Sequence, residues 1–252
     1  MSAPMFSIIT VCLDAKVHLA EALDSVLAQD SGDYEYIVAD GGSTDGTVEL
    51  LRAYEPQFGG RMEWVSEPDE GLFDAMNRAL TRASGEYVVF LGADDRLLPG
   101  ALEAVRTSLA VPVPPDIVCG GAHVFGPHAS WDEQASRKVR RGLPQRAPAR
   151  HQSIFVRREA LIAVGGFDCR FPIASDYEAY LRLVESGCTE TLIDETLSDF
   201  RLGGVSSTNA LATARGYREV RVLHGASPLV EGIVMWKSAL AATVFALWKR
   251  PM

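Results

Sequence analysis

The sequence predicts an α/β protein built on a mixed, mainly parallel sheet flanked by helices. Three observations predict it. Over the first 110 residues, apolar runs of strand length alternate with stretches of helical period. The joints between them are rich in Gly, Ser and Asp. One strand-like run, Tyr87-Val88-Val89-Phe90-Leu91, stops abruptly at Gly92-Ala93-Asp94-Asp95. Alternating strands and helices imply βαβ units. In an open sheet of that kind ligands sit beyond the carboxyl ends of the strands.

The elements follow in order. Residues 6–11 are dominated by β-branched and aromatic side chains and read as a strand. Residues 19–29 read as a helix, because Leu19, Ala22, Leu23, Val26 and Leu27 recur at helical spacing. Residues 34–39 form a second strand that ends at Asp40, and 41–47 make a turn-rich loop. A helix over 48–54, a short strand over 62–65 and a helix over 72–83 lead to the strand at 87–91, and 100–109 is a further helix.

The pattern changes after residue 110. Val111-Pro112-Val113-Pro114-Pro115 is a linker, and 116–125 contain a strand. Residues 126–150 are polar and basic, with Arg137, Lys138, Arg140, Arg141, Arg146 and Arg150 close together. They suit either a solvated loop or a phosphate- or acceptor-binding surface. Residues 154–157 read as a strand, 158–164 as a helix stopped by Gly165-Gly166, and 177–185 as a helix; 203–216 read as a mobile Gly-, Ser- and Ala-rich segment. The expected division is one domain over 1–225, with a nucleotide-binding part at 1–110 and an acceptor-binding part at 111–225, then an apolar helix within 226–252. The stretch 233–248 falls short of the ~20 residues that cross a bilayer. It suits packing on the domain or, with Trp236, Trp248, Lys249 and Arg250, lying at a membrane interface.

Composition narrows the functional classes. The 252 residues are 47% hydrophobic and 23% charged, enough for a substantial core. A net charge of -9 argues against non-specific nucleic-acid binding. Cys12, Cys119, Cys169 and Cys188 lack paired spacing and read as small buried hydrophobes in a reducing compartment. The first strand begins within a few residues of Met1, so the expectation is a cytoplasmic protein without a secretory leader.

The acids carry the chemistry. Adjacent carboxylates at Asp94 and Asp95 repel unless a cation sits beside them. A divalent metal carrying a diphosphate fits, since hard cations prefer oxygen ligands and bridge to phosphate oxygens. The competing reading is a helix cap. Asp40 suits hydrogen bonds to a base or ribose, or an Asx turn. Asp74 and Asn77 share one helical face and suit either the crevice or, for Asp74, a cap.

Taken together, several segments resemble the family 2 glycosyltransferases. They are Ser7-Ile8-Ile9-Thr10-Val11, Asp40-Gly41-Gly42-Ser43-Thr44-Asp45-Gly46-Thr47, Ser66-Glu67-Pro68-Asp69-Glu70-Gly71-Leu72-Phe73-Asp74-Ala75-Met76-Asn77 and Gly85-Glu86-Tyr87 leading to Asp94-Asp95. The likeness continues through His151-Gln152-Ser153-Ile154-Phe155, Gly165-Gly166-Phe167-Asp168 and Asp176-Tyr177-Glu178, and covers most of 5–205. It implies the Rossmann-like GT-A fold and an inverting transfer from a nucleoside-diphosphate sugar, most simply a UDP-sugar. The subgroup it points to builds bacterial surface polysaccharides and glycolipids. The implied acceptor is therefore a lipid-linked saccharide or surface glycan, at the inner face of the plasma membrane.

The resemblance also implies roles. Thr10 and Asp40 would meet the nucleotide, with Asp74, Asn77 and Asp94 nearby. Asp94 and Asp95 would hold Mg²⁺ or Mn²⁺, and Asp176 would be the general base. His151 and Gln152 would line the donor-sugar or acceptor pocket. From the residues alone, Asp176 suits an N-cap equally well and His151 a buried structural role.

Three departures stand out. Gly92 occupies a position where the family often has Asp. Leu13-Asp14 follows the first strand where Tyr-Asn is common, which weakens the expectation of a nucleotide contact by Asp14. Arg201 to Ser207 contain no His, so the sequence assigns no third metal ligand. Two other classes remain: a non-catalytic nucleotide-sugar binder or assembly scaffold, and a nucleotidyltransferase. The latter needs a Gly-rich loop where this chain has Leu13-Asp14-Ala15-Lys16.

Overall fold

Strand β1 (Phe6–Cys12) is buried along nearly its whole length because it has strands on both sides and helices on both faces. The computed structural model describes residues 3–30, 32–140, 143–203 and 210–232. After β1 come α1 (Leu19–Leu27), β2 (Tyr34–Asp40), α2 (Thr47–Tyr54), β3 (Met62–Ser66), α3 (Leu72–Arg82), β4 (Tyr87–Phe90), β5 (Arg96–Leu97) and α4 (Ala101–Leu109). The second half adds β6 (Ile117–Gly126), β7 (Ala129–Glu133), β8 (Val139–Arg140), β9 (Leu143–Pro144), β10 (Ile154–Arg157), α5 (Arg158–Ala163), α6 (Ser175–Glu185), β11 (Glu190–Arg201) and α7 (Ala210–Leu223).

The main sheet has nine strands in the order β3-β2-β1-β4-β10-β6-β11-β5, with β7 beside β6. Strands β1 to β4, β6 and β11 run one way; β5, β7 and β10 run against them. This is the mixed, mainly parallel sheet expected. The expected nucleotide and acceptor parts share it, because β10 pairs with both β4 and β6.

Successive strand side chains point to opposite faces, and this divides the core in two. Ile8, Tyr36, Val38 and Val89 face α1, α2 and α4 through Leu23, Val26, Leu51 and Val105. Their neighbours Ile9, Ile37, Val88 and Phe90 face α3 and α6 through Phe73, Met76, Leu80 and Tyr177.

Several expectations change. The 126–150 segment contains β7 and a small β8–β9 hairpin, not a continuous loop. Strands β5 and β11 were not expected; β11 carries acids and stays half-exposed along much of its length, so its sequence lacks a buried-strand pattern. Residues 210–216, read as mobile, begin α7. Cys12 and Cys119 are buried as expected, whereas Cys169 is exposed and Cys188 partly so. Residues 228–232 are helical; the remainder of the expected C-terminal helix, 233–252, lies outside the described residues. Among the described residues no helix is long and apolar enough to cross a membrane.

Candidate active site

The parallel register of β1 and β4 brings residues 12–14 and 91–95 out side by side at one edge of the sheet. Antiparallel β10 begins at that same edge, so the 3₁₀ turn His151–Ser153 leads into it there. Strand β11 runs parallel to β6 and ends there too, delivering Phe200 and Arg201. These ends enclose a cleft of about 410 Å³, walled by Asp14, Phe90, Asp94, Gln152, Phe167 and Arg201 among others.

At its floor Asp95 is 2% exposed. Its Oδ1 accepts the Arg201 backbone N–H at 2.8 Å, and its Oδ2 accepts the Gln152 side-chain amide. Burial first, and the Asp94 charge second, push its carboxyl up to about 7 against these opposing hydrogen bonds. Asp94 is less buried and lines the cleft. Neither acid caps the next helix, whose cap position is Gly100.

Asp176 lies one residue inside α6, whose cap position is Ala174, so capping does not account for it. Its Oδ1 is buried with no hydrogen-bond partner among the described residues. Its Oδ2 is 3.9 Å from His151 Nδ1. Burial lowers the His151 pKa, and Arg150 adds to this against the pull of Asp176 and Asp94; the imidazole is therefore neutral near pH 7. A second cleft of about 570 Å³ opens beyond this pair, containing Trp131, Arg146, Arg150 and Tyr217. The two clefts share His151, Ile173, Asp176 and Phe200.

The structure thus brings together Asp94, Asp95, His151, Gln152 and Asp176. Thr10, Asp40, Asp74 and Asn77 stay outside the described lining of the main cleft, each engaged within the fold. Thr10 is fully buried and accepts the Tyr36 hydroxyl at 3.0 Å. Asp40 is an Asx-type anchor: it accepts backbone N–H groups of Gly42 at 3.1 Å and Ser43 at 2.9 Å, and the hydroxyls of Ser43 and Ser66. Asp74, inside the first turn of a helix whose cap position is Gly71, accepts the Glu70 N–H at 3.1 Å. Asn77 brackets Phe167, donating to its carbonyl and accepting from its N–H, both at 2.8 Å.

The Glycosyl transferase family 2 profile matches residues 7–171, more than half of the chain. The chain is a family 2 glycosyltransferase. It is 32% identical over 213 residues to the PGL/p-HBAD biosynthesis glycosyltransferase of Mycobacterium bovis, covering 82% of this chain and 81% of the relative. Over 101 residues it is 39% identical to the putative teichuronic acid biosynthesis glycosyltransferase TuaG of Bacillus subtilis, covering 40% of each. Its fold matches a Pyrobaculum calidifontis mannosyltransferase in complex with GDP-Man and Mn²⁺, with TM-score 0.69, 19% identity, and coverage of 100% of this chain and 77% of the other. It also matches Staphylococcus aureus TarS with TM-score 0.63 and 17% identity, covering 90% of this chain but only 41% of that longer one. The fold is therefore GT-A.

Two cleft residues of this glycosyltransferase escaped the sequence reading. Asp14, set aside because the family pattern fails there, lines the cleft. It adopts a left-handed φ of 49°, which Asp tolerates better than most residues, and its Oδ1 accepts the Thr44 N–H at 2.9 Å. Arg201 lines the cleft as well; its Nε donates to the Asp94 carbonyl at 3.1 Å, and a terminal nitrogen is 2.7 Å from Glu21 Oε2. No local sequence signal marks it, because its partners lie far away in the chain.

The residues fit a cation in one respect. Mg²⁺ sites in phosphate chemistry typically use one or two carboxylates plus substrate oxygens. Asp94 is placed for that, whereas Asp95 has both oxygens engaged by Arg201 and Gln152. Among the described residues no cluster of three or more His, Cys, Asp or Glu could hold a metal alone.

Proposed function

We propose that this glycosyltransferase is inverting and moves a sugar from a nucleoside-diphosphate sugar, a UDP-sugar, to a hydroxyl of a lipid-linked saccharide or surface glycan. The observation that carries the reading is Asp176: a carboxylate with one unpartnered buried oxygen, lying where two clefts meet. One cleft ends at the Asp94–Asp95 turn and suits the donor. The other suits the acceptor. The donor class is supported by TarS, solved in complex with UDP-GlcNAc, and the glycan class by the names of the mycobacterial and Bacillus relatives.

In this reading Asp176 accepts the proton of the acceptor hydroxyl as the oxygen attacks the anomeric carbon and the nucleoside diphosphate departs from the opposite face. Neutral His151, 3.9 Å away, leaves the Asp176 charge available for that proton. Asp94 faces the diphosphate and would hold Mg²⁺ or Mn²⁺; when bound, the cation neutralises the leaving charge. Asp95, held by Gln152 and Arg201, fixes the turn that presents Asp94. Thr10 and Asp40 act from behind the wall, anchoring the strand ends and the loop beside the nucleotide; Asp74 and Asn77 anchor α3 in the same way. The 233–248 stretch would touch the inner face of the membrane.

Asp176→Asn tests the reading. The variant should bind UDP with Mn²⁺ normally and lose about 10²–10⁴-fold in transfer, the usual contribution of a general base. Donors are found first by thermal shift across nucleotide sugars. Near-normal turnover by the variant would remove Asp176 from the chemistry.

A further inference from the structure

The second cleft has a chemistry of its own. Trp131 on β7 is 44% exposed, although large aromatics are usually buried. Phe200 lies in the same cleft, as does Tyr217, whose ring stacks on Tyr177 with centroids 4.9 Å apart. The cleft volume, about 570 Å³, is in the ordinary range for a small-molecule site.

Its cations are already engaged. Arg146 and Arg150 both pair with Glu133, at 2.9 and 3.0 Å, and the Arg150 guanidinium lies 4.6 Å above the Phe200 ring. Arg221 pairs with Glu231 at 2.6 Å. At the inner end stands the Asp176 carboxylate. An anionic ligand would compete with Glu133 and Glu231 for these guanidinium groups and would meet a like charge at Asp176.

On the transferase reading, we infer that this cleft selects a neutral ring-bearing acceptor, an uncharged sugar or aryl glycoside, and that Trp131 is the specificity residue that holds it. An aromatic face is negative and attracts the positive C–H edges of a ring laid against it. The acceptor ring lies on Trp131 while its reacting hydroxyl reaches Asp176 at the junction with the donor cleft. The polar groups around it set orientation, and each guanidinium already has a carboxylate partner.

Binding measurements on the full chain test this. Wild type, Trp131→Ala and Trp131→Phe are titrated with UDP plus Mn²⁺, with a panel of neutral phenyl hexosides and 6-deoxyhexosides, and with the matching phenyl uronides, followed by ligand-observed NMR. At least one neutral glycoside should bind wild type, about tenfold more weakly to Trp131→Ala, and near wild-type strength to Trp131→Phe. The uronides should bind about tenfold more weakly than the neutral compounds. UDP affinity should stay within about twofold in all three proteins, which also shows that the variants are folded. Equal or stronger uronide binding, absent glycoside binding, or indifference to Trp131→Ala overturns the inference while leaving UDP binding and the transferase reading intact. Absent UDP binding in wild type overturns both.

Discussion

Arg201 donates its backbone N–H to Asp95 Oδ1 at 2.8 Å, across 106 residues of sequence. With Gln152 on the other oxygen, this bond ties the end of β11 and the start of β10 to the acidic turn after β4. It also separates two carboxylates that look equivalent in sequence: Asp94 is half-buried at the cleft wall, whereas Asp95 is enclosed at its floor with both oxygens hydrogen-bonded.

That burial predicts a pH signature. The Asp95 carboxyl rises from an ordinary 3.8 to about 7. The folded protein therefore keeps a proton that the unfolded chain has already released, and the stability linked to it is full below pH 4 and lost as pH rises through 7. Asp95→Asn should remove this slope, leaving a flatter melting profile between pH 4 and 7. The difference should be of the order of a few kcal/mol, since one pKa unit is worth about 1.4 kcal/mol. Coincident profiles would show that Asp95 does not titrate there.

Gly92 and Asp95 are coupled by space. A Cβ at 92 would overlap Asp95 Oδ2 and stand 3.2 Å from Asp94 Oδ1. Gly92→Ala should therefore displace both carboxylates, costing about 1–3 kcal/mol in urea unfolding and weakening Mn²⁺-dependent UDP binding. Wild-type values in both measurements would show that the turn relaxes freely.

Asn77 holds Phe167, part of the main cleft's wall, from outside that cleft's lining. It bonds both the N–H and the carbonyl of Phe167, and Gly166 is seated so closely that a Cβ there would lie 2.5 Å from Asn77 Oδ1. Asn77→Ala leaves both Phe167 groups unpaired and should cost about 1–3 kcal/mol. It should also raise the donor KM, because Phe167 lines the cleft. An unchanged KM in a destabilised variant would confine Asn77 to a stability role.

Asp40 has the opposite pH sign to Asp95. Burial raises its pKa, but hydrogen bonds from Ser43, Ser66 and Gly42 outweigh it and leave the carboxyl lowered. The stability it contributes is present above the unfolded value near 3.8 and is lost as pH falls through the folded value. Asp40→Asn should cost about 2 kcal/mol at pH 7, with the cost shrinking in acid. A pH-independent cost would point to packing instead.

Much of this was legible in order along the chain. Adjacent apolar pairs such as Ile8–Ile9 and Val88–Val89 announce strands covered on both faces, and the structure divides each pair between the two cores. Strand β11 was not legible, because Glu190, Asp194, Glu195 and Asp199 break up its apolar residues and much of it stays half-exposed, without the burial pattern that marks a core strand. The second cleft was equally hidden: its residues come from β7, the 146–151 segment, α6, β11 and α7.

The amino-acid sequence by itself determined the α/β class, because hydrophobic period and turn chemistry are local properties, and its ordered motifs carried the resemblance to the family. Tertiary structure alone decided that Asp95 is enclosed while Asp94 is presented. It also decided that Asp176 is no helix cap, and that Arg201 and Asp14 enter the cleft while Asp40 and Asn77 stand behind it. Burial and hydrogen-bond saturation depend on which distant segments pack together, and residues 106 apart carry no mutual record in the chain.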